Sequence, residues 1–341
     1  MRTVIYRKYG NPADVLEVVE GDAPPVPAAR EVTIRVMVRP VHPGDLLGVQ
    51  GRYRGPGDTS EVTVGGARPG FEGMGVIEAV GADVKASSGL KIGARVAFFP
   101  ARGAWGERVN ASIDFVALVP DDVSDDVASQ LHVNPMTAIM LLRAAQAAGV
   151  EARGEGVVVL TAAASAVAKL ATTLARQLDL RIVNLVRRSS SLAELATLHP
   201  GVGLVSTDQD NWQERVRAAT GGRPIRAVLD PVGGETASEM LQLLASGGTF
   251  ISYGDLSGQP MSTNALGFSV RDIRIHGVSV GRWASLPEPV RREDLRSALA
   301  LAKVGAKLLP VAAHYDLADV AKAAAHAQQP AKQGTVLLTS H

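Results

Sequence analysis

A chain of 341 residues is too long for one ordinary hydrophobic core, so two domains are expected. Hydrophobic content of 46% against 20% charged residues is that of a globular chain, and 35 Lys and Arg against 34 Asp and Glu give a net charge of +1, which offers no nucleic-acid or membrane surface. The absence of cysteine excludes disulfides, thiolate nucleophiles and structural zinc sites built on cysteine.

The chain opens Met-Arg-Thr-Val-Ile-Tyr directly into a strand pattern, with no basic-then-apolar leader and no apolar run of about 18 residues; a cytoplasmic protein is expected. Short β segments are predicted at Thr3–Tyr6, Val15–Glu20, Val32–Val38, Gly75–Val80, Arg95–Phe99, Glu107–Val109 and Phe115–Leu118. Turn signals at Pro24-Pro25-Val26-Pro27, Pro43-Gly44-Asp45 and Gly55-Pro56-Gly57 separate them, a rhythm that predicts a barrel-like β domain. From Ser124 the pattern changes: Ser124-Asp125-Asp126 caps a helix through Ala128, Leu131 and His132, and Pro135–Ala147 continues as a long helix.

The organising stretch follows. An apolar run at Val157–Leu160 meets small residues at Thr161–Ser165, a helical period at Val167, Leu170, Ala171, Leu174 and Leu178, and a second apolar run at Ile182–Val186. Strand, tight turn, helix and strand form the unit that seats a dinucleotide pyrophosphate on helix N-terminal amides. After the second strand an NAD-preferring unit puts a carboxylate; here Arg187, Arg188 and Ser189 make a cationic, hydroxylated pocket suited to a 2′-phosphate, which predicts NADPH. Ala163 and Ala168 stand where glycines are expected, so any residue there with φ > 0 would be strained. An alanine-rich helix packed on a sheet without a ligand is the bland alternative.

Beyond Ser189 the pattern predicts helix Leu192–Leu198, strand Gly203–Ser206, helix Trp212–Ala219, strand Ala227–Asp230, helix Thr236–Leu244, and strands Thr249–Tyr253 and Ile273–Val280. Such alternation makes an α/β, doubly wound parallel (Rossmann) sheet. Arg291–Lys303 reads as an amphipathic helix, and Val311–His314, Leu317–Gln328 and Gly334–Thr339 as a strand, helix and strand that complete the N-terminal β domain.

Several motifs, in order along the whole chain, carry a resemblance. They are Val41-His42-Pro43-Gly44-Asp45, Gln50-Gly51-Arg52-Tyr53, Gly70-Phe71-Glu72-Gly73-Met74-Gly75 through Gly81, Val133-Asn134-Pro135-Met136-Thr137-Ala138, Val232-Gly233-Gly234, Gly247-Gly248-Thr249, Tyr253-Gly254 and Ala331-Lys332-Gln333-Gly334. Together they resemble the zinc-free branch of the medium-chain dehydrogenase/reductase superfamily, in particular the mitochondrial-type trans-2-enoyl-thioester (enoyl-CoA/ACP) reductases, and beside them the quinone oxidoreductases. The resemblance implies a GroES-like β-barrel catalytic domain, 1–123 with 285–341, and a Rossmann NADPH-binding domain, 124–284.

Zinc-dependent members hold their metal with a Cys near the position of His42 and a His in Gly-His-Glu. This chain has Gly70-Phe71-Glu72 and no cysteine, so no metal is expected. His42 is then a polar lining residue or a satisfied turn histidine, and it replaces the Asn usual in the enoyl reductases. Reduction of a C=C bond conjugated to a carbonyl needs no metal: hydride adds at the β-carbon, and the enolate needs donors and a proton. The resemblance gives Tyr53 the role of proton donor; a loop tyrosine that only packs is the alternative.

For the cofactor, the motifs carry over Asn134 to the nicotinamide ribose, with Thr137 of the same motif a cofactor contact, Ala164, Ser165, Ala166 and Val167 to the pyrophosphate, and Arg187, Arg188 and Ser189 to the 2′-phosphate. Tyr253, Gly254, Asp255 and Leu256, with Val278, Ser279 and Val280 on the sixth strand, should flank the nicotinamide, and Lys332 should contact the cofactor. Trp283 shapes the acyl pocket or packs at the domain junction. Arg52, Arg54, Arg291 and Arg292 could meet a phosphorylated carrier arm, or are scattered surface arginines. The implied activity is NADPH-dependent reduction of an enoyl thioester, or of an enone or quinone, by a homodimer; a non-catalytic NADPH-binding protein is the alternative from another class.

Overall fold

The computed structural model describes residues 1–54, 58, 60–304, 307–330 and 332–340. Gly55-Pro56-Gly57, and Ala331 of the Ala-Lys-Gln-Gly motif, lie outside the described residues. The chain divides into two compact units, Met1–Val133 with Ala284–His341, and Asn134–Trp283.

The first unit is mostly antiparallel sheet. Its N-terminal strands are β1 (Arg2–Ile5), β2 (Glu17–Glu20), β3 (Glu31–Pro40), β4 (Gly73–Val80), β5 (Arg95–Phe98), β6 (Arg108–Ser112) and β7 (Val116–Leu118). The ten-residue β3 is the spine: one edge pairs with β4, and the other pairs with β6 along Glu31–Arg35. Its inward positions Val32, Ile34 and Val36 are fully buried against Ile77, Val96 and Phe98, the alternation expected of a half-covered antiparallel strand.

In the second unit, β8 (Val157–Leu160), β9 (Arg181–Val186), β10 (Gly203–Ser206), β11 (Ile225–Asp230), β12 (Thr249–Ser252) and β13 (Arg274–Gly277) form one parallel sheet, ordered β10-β9-β8-β11-β12-β13. All four β8 residues are buried, as a strand covered on both faces requires. Strand order reverses between β8 and β11, which places the ligand-binding point of such a sheet at their carboxyl ends. The chain then returns through β14 (Val311–Asp316) and β15 (Thr335–Thr339); β15 pairs antiparallel with β3 at Val38–Pro40, the stretch that β6 leaves open.

Several predicted elements differ, among them the helix expected from Ser124 through His132, which ends at Ala128. Val15 ends a helical turn, Pro12–Val15, and only Glu17–Glu20 is strand. Pro43-Gly44-Asp45 is not a turn but the start of helix Pro43–Val49: proline suits the first helical position, and the Asp45 carboxylate accepts the His42 N–H. The sixth strand stops at Gly277, and Val280 begins the 3₁₀ helix Val280–Ser285, so Val278, Ser279 and Val280 do not lie on that strand. β13 is the exposed edge of its sheet, and its last residue, Gly277, offers no side chain to extend the pairing.

Candidate active site

The turn after β8 presents backbone rather than side chains. Ala162 carries φ of 49°, the left-handed conformation that glycine adopts freely and alanine does not; the strain falls here and not at Ala163. Ala163 and Ala168 are fully buried, so their small side chains serve the close packing of turn and helix. Helix Ala166–Gln177 is capped by Ser165, whose Oγ accepts the Ala168 N–H at 3.3 Å. Among the described residues the N–H groups of Ala164, Ala166 and Val167 have no acceptor, three free donors at a helix N-terminus. Arg187, Arg188 and Ser189 follow β9, all exposed. Ser189 is not free: its N–H and its hydroxyl both donate to Asp208 Oδ2, at 2.9 and 3.1 Å.

At the carboxyl ends of β8 and β11 lies a knot that the sequence reading did not single out. Asp230, fully buried, accepts the Thr161 hydroxyl at 2.5 Å on Oδ1, and the N–H groups of Val232 and Gly233 at 3.0 and 2.7 Å on Oδ2. Burial holds its carboxyl above the usual range against these three donors. Its signal in the sequence was an acid closing an apolar strand immediately before Pro-Val-Gly-Gly. The loops after β11 and β12 are tied by Leu256 N–H to Pro231 O at 2.9 Å and Ser257 N–H to Val232 O at 2.8 Å. Gly254 passes so close to Pro231 that a Cβ would meet its carbonyl at 2.9 Å. Asp230, Gly233, Gly254 and Asp255 line a cavity of about 460 Å³. The Tyr253 hydroxyl is buried, and burial, with the Asp230 charge beside it, pushes its ionisation up. Val278 and Trp283 are buried while Ser279 is exposed, and Asn134 and Thr137 are each 7% exposed in helix Val133–Ala147.

In the first unit four segments meet. His42 Nε2 contacts Glu72 Oε2 at 2.6 Å, and Glu72 Oε1 accepts the N–H groups of His132 at 2.5 Å and Val133 at 2.9 Å. Burial opposes charge on His42, but the hydrogen bond and the charge of Glu72 outweigh it and hold the imidazole above its ordinary value. Asp45 is pushed up to about 6 by burial. Tyr53 is 70% exposed, yet its hydroxyl turns inward over Gly44, where a Cβ would lie 3.1 Å from it. Burial of that end, and the Asp45 charge, push its ionisation up and keep the phenol protonated. Lys332 is half-buried, its amine donating to Gly334 O at 2.9 Å, and burial lowers its pKa.

The arginines offered to a carrier arm are largely engaged. Arg54 stacks on Tyr9 at 4.6 Å, Arg291 donates to Leu286 O and lies over Phe115, and Arg292 pairs with Glu288.

Two family models match this chain: an alcohol dehydrogenase GroES-like domain over residues 28–121 and a zinc-binding dehydrogenase over residues 166–303. The chain belongs to the medium-chain dehydrogenase/reductase superfamily. Among members of that superfamily, the human mitochondrial enoyl-[acyl-carrier-protein] reductase is 27% identical over 346 residues, covering 99% of this chain and 88% of its own length. A solved structure from Bacillus thuringiensis, provisionally described as an NADPH:quinone reductase, is 29% identical with a TM-score of 0.86, covering 100% of this chain and 99% of that one. A mycobacterial protein solved in complex with NADPH is 26% identical with a TM-score of 0.85, covering 100% of both chains.

The zinc-binding description of one model does not fit this superfamily member's donors. Both Glu72 oxygens are occupied by hydrogen bonds, cysteine is absent, and among the described residues no three His, Asp or Glu groups converge to hold a metal ion. Glu72 instead ties the first turn of one helix to the loop that enters another.

Proposed function

We propose that the chain is an NADPH-dependent, zinc-independent reductase of the C=C bond of α,β-unsaturated carbonyl compounds, with trans-2-enoyl thioesters as its substrates. The observation that carries this reading is Tyr53, a phenol kept protonated next to Asp45, in a unit whose buried imidazole and carboxylate are committed to one another. Such a site offers a weak acid and no Lewis acid donor set, which suits proton delivery to an enolate better than alkoxide stabilisation.

The residues of the second unit fit the cofactor: free amides at Ala164, Ala166 and Val167, capped by Ser165, receive the pyrophosphate, and Arg187 and Arg188 receive the 2′-phosphate beside Ser189, whose donors are held by Asp208. Asn134 and Thr137 address the nicotinamide ribose; Tyr253, Gly254, Asp255, Leu256 and Val278 to Val280 flank the ring; Lys332 contacts the cofactor. When bound, NADPH supplies hydride to the substrate β-carbon. Tyr53 then gives its phenolic proton to the α-carbon, and His42, held by Glu72, faces the acyl chain. The nucleotide-binding domain spans 124–284 and the catalytic domain the remainder. The names of the human and mycobacterial relatives support an enoyl substrate and NADPH. That of the Bacillus protein supports a second reading, reduction of a quinone or general enone by the same site. A homodimer is supported by the exposed edge strand β13, where Ile275 is 48% exposed; no described helix is long and apolar enough to cross a membrane.

The test is NADPH oxidation followed against crotonyl thioesters, enones and quinones. Thioesters should turn over fastest, and Tyr53→Phe should lower kcat by about 10²-fold or more with NADPH affinity unchanged. Turnover of quinones alone selects the second reading, and unchanged kcat in the variant removes Tyr53 from the reaction.

A further inference from the structure

The sequence offers two arginines and a serine where a 2′-phosphate would sit; the structure adds a carboxylate. β9 ends at Val186 and runs into Arg187, Arg188 and Ser189, while its parallel neighbour β10 ends at Ser206, two residues before Asp208. Asp208 Oδ2 accepts both donors of Ser189, and Oδ1 accepts the Ser206 hydroxyl at 2.7 Å. These bonds, the Ser189 amide first, hold the Asp208 carboxyl below its usual range, so it is charged at neutral pH. Among the described residues neither Arg187 nor Arg188 forms an ion pair with it.

A dinucleotide fold that prefers NAD supplies a carboxylate at the end of its second strand to accept the ribose 2′-hydroxyl. Here an equivalent charge arrives from the loop after the adjacent strand, at a strand end that also carries two exposed arginines. Toward a 2′-phosphate it acts twice: it withholds the Ser189 N–H and O–H, and it repels the phosphate charge. Toward a 2′-hydroxyl it is an acceptor. Both effects lower the ratio of NADPH to NADH affinity without cancelling the arginines.

We infer that Asp208 is a specificity-determining residue that limits discrimination between the two cofactors, so that NADH remains a usable hydride source. This rests on the 2′-phosphate reading of Arg187 and Arg188. The experiment is titration of NADPH and NADH by protein fluorescence into the wild-type protein, Asp208→Asn, Asp208→Glu and the double variant Arg187→Ala with Arg188→Ala. Asp208→Asn should raise the NADPH preference about fivefold at low salt, the size of one close exposed charge contact, and the gain should shrink at high salt. Asp208→Glu, which keeps the charge, should stay near the wild-type ratio. The preference should collapse in the arginine variant. A flat or lowered ratio in Asp208→Asn, with the arginines still mattering, overturns the assignment of Asp208 alone. A wild-type protein without NADPH preference, and unaffected by loss of both arginines, overturns the 2′-phosphate reading and Asp208 with it. If Asp208→Asn is poorly folded, Asp208→Ser, also uncharged and able to accept one hydrogen bond, must show the same rise.

Discussion

Each compact unit contains a buried carboxylate that accepts two consecutive backbone N–H groups on one oxygen, Glu72 from His132 and Val133, and Asp230 from Val232 and Gly233. They differ in what occupies the other oxygen: the titratable imidazole of His42 in one, the neutral hydroxyl of Thr161 in the other. The same device therefore does different work. Around Asp230 it fixes two strand ends and the glycine loop that follows β11 through a raised carboxyl alone; around Glu72 it also stores a charge pair beside Asp45 and Tyr53, so local stability there is tied to pH through an imidazole as well.

The largest effect should come from breaking the charged version. Glu72→Ala leaves a buried imidazole and two amides without their acceptor, and should cost about 3–5 kcal/mol in urea unfolding. A loss below about 1 kcal/mol would mean that the pair adds nothing. Asp230→Ala orphans only neutral donors and should cost about 1–3 kcal/mol. If it proves the more damaging of the two, the contrast between the knots is wrong.

pH sharpens the comparison. His42 holds its proton more tightly in the folded chain than in the unfolded one, so its stabilisation is complete below about 6.5 and is lost as pH rises through its raised value. Asp45, raised to about 6, has the same sign: stability falls as pH rises from about 4 toward that value. Unfolding free energy measured from pH 6 to pH 9 should decline in the wild-type protein and be flatter in His42→Gln, whereas Thr161→Val, which removes a bond that holds the Asp230 carboxyl down, should not flatten it. Smallest of all, Ala162→Gly should relieve the left-handed alanine and gain up to about 1 kcal/mol; a loss would show that the turn packs on that methyl group.

Elements with strong local rules were legible in the sequence to the residue. Val157–Leu160 is an unbroken apolar run, and Leu192–Leu198 and Trp212–Ala219 keep a helical period between polar ends. Elements governed by context were not. Pro43–Val49 looks like a turn until Asp45 closes back on His42, and Ala265–Arg271, a short exposed helix started by the Asn264 side chain, has no buried face to reveal it. For the candidate site, Arg187, Arg188 and Tyr53 could be named because motifs mark them. The Glu72 pairing spans 60 residues to His132, and that of Asp208 spans 19 to Ser189; neither leaves a local pattern, since only the folded sheet brings the partners together.

The central claim is hydride delivery to an electron-poor alkene, and isotope tracing tests it most directly. With NADPH carrying deuterium at nicotinamide C4 and crotonyl thioester as acceptor, the reduced thioester should carry deuterium at the β-carbon and a solvent-derived proton at the α-carbon. Cofactor consumption without deuterium in the acyl chain, or no consumption with any unsaturated thioester, would contradict the account.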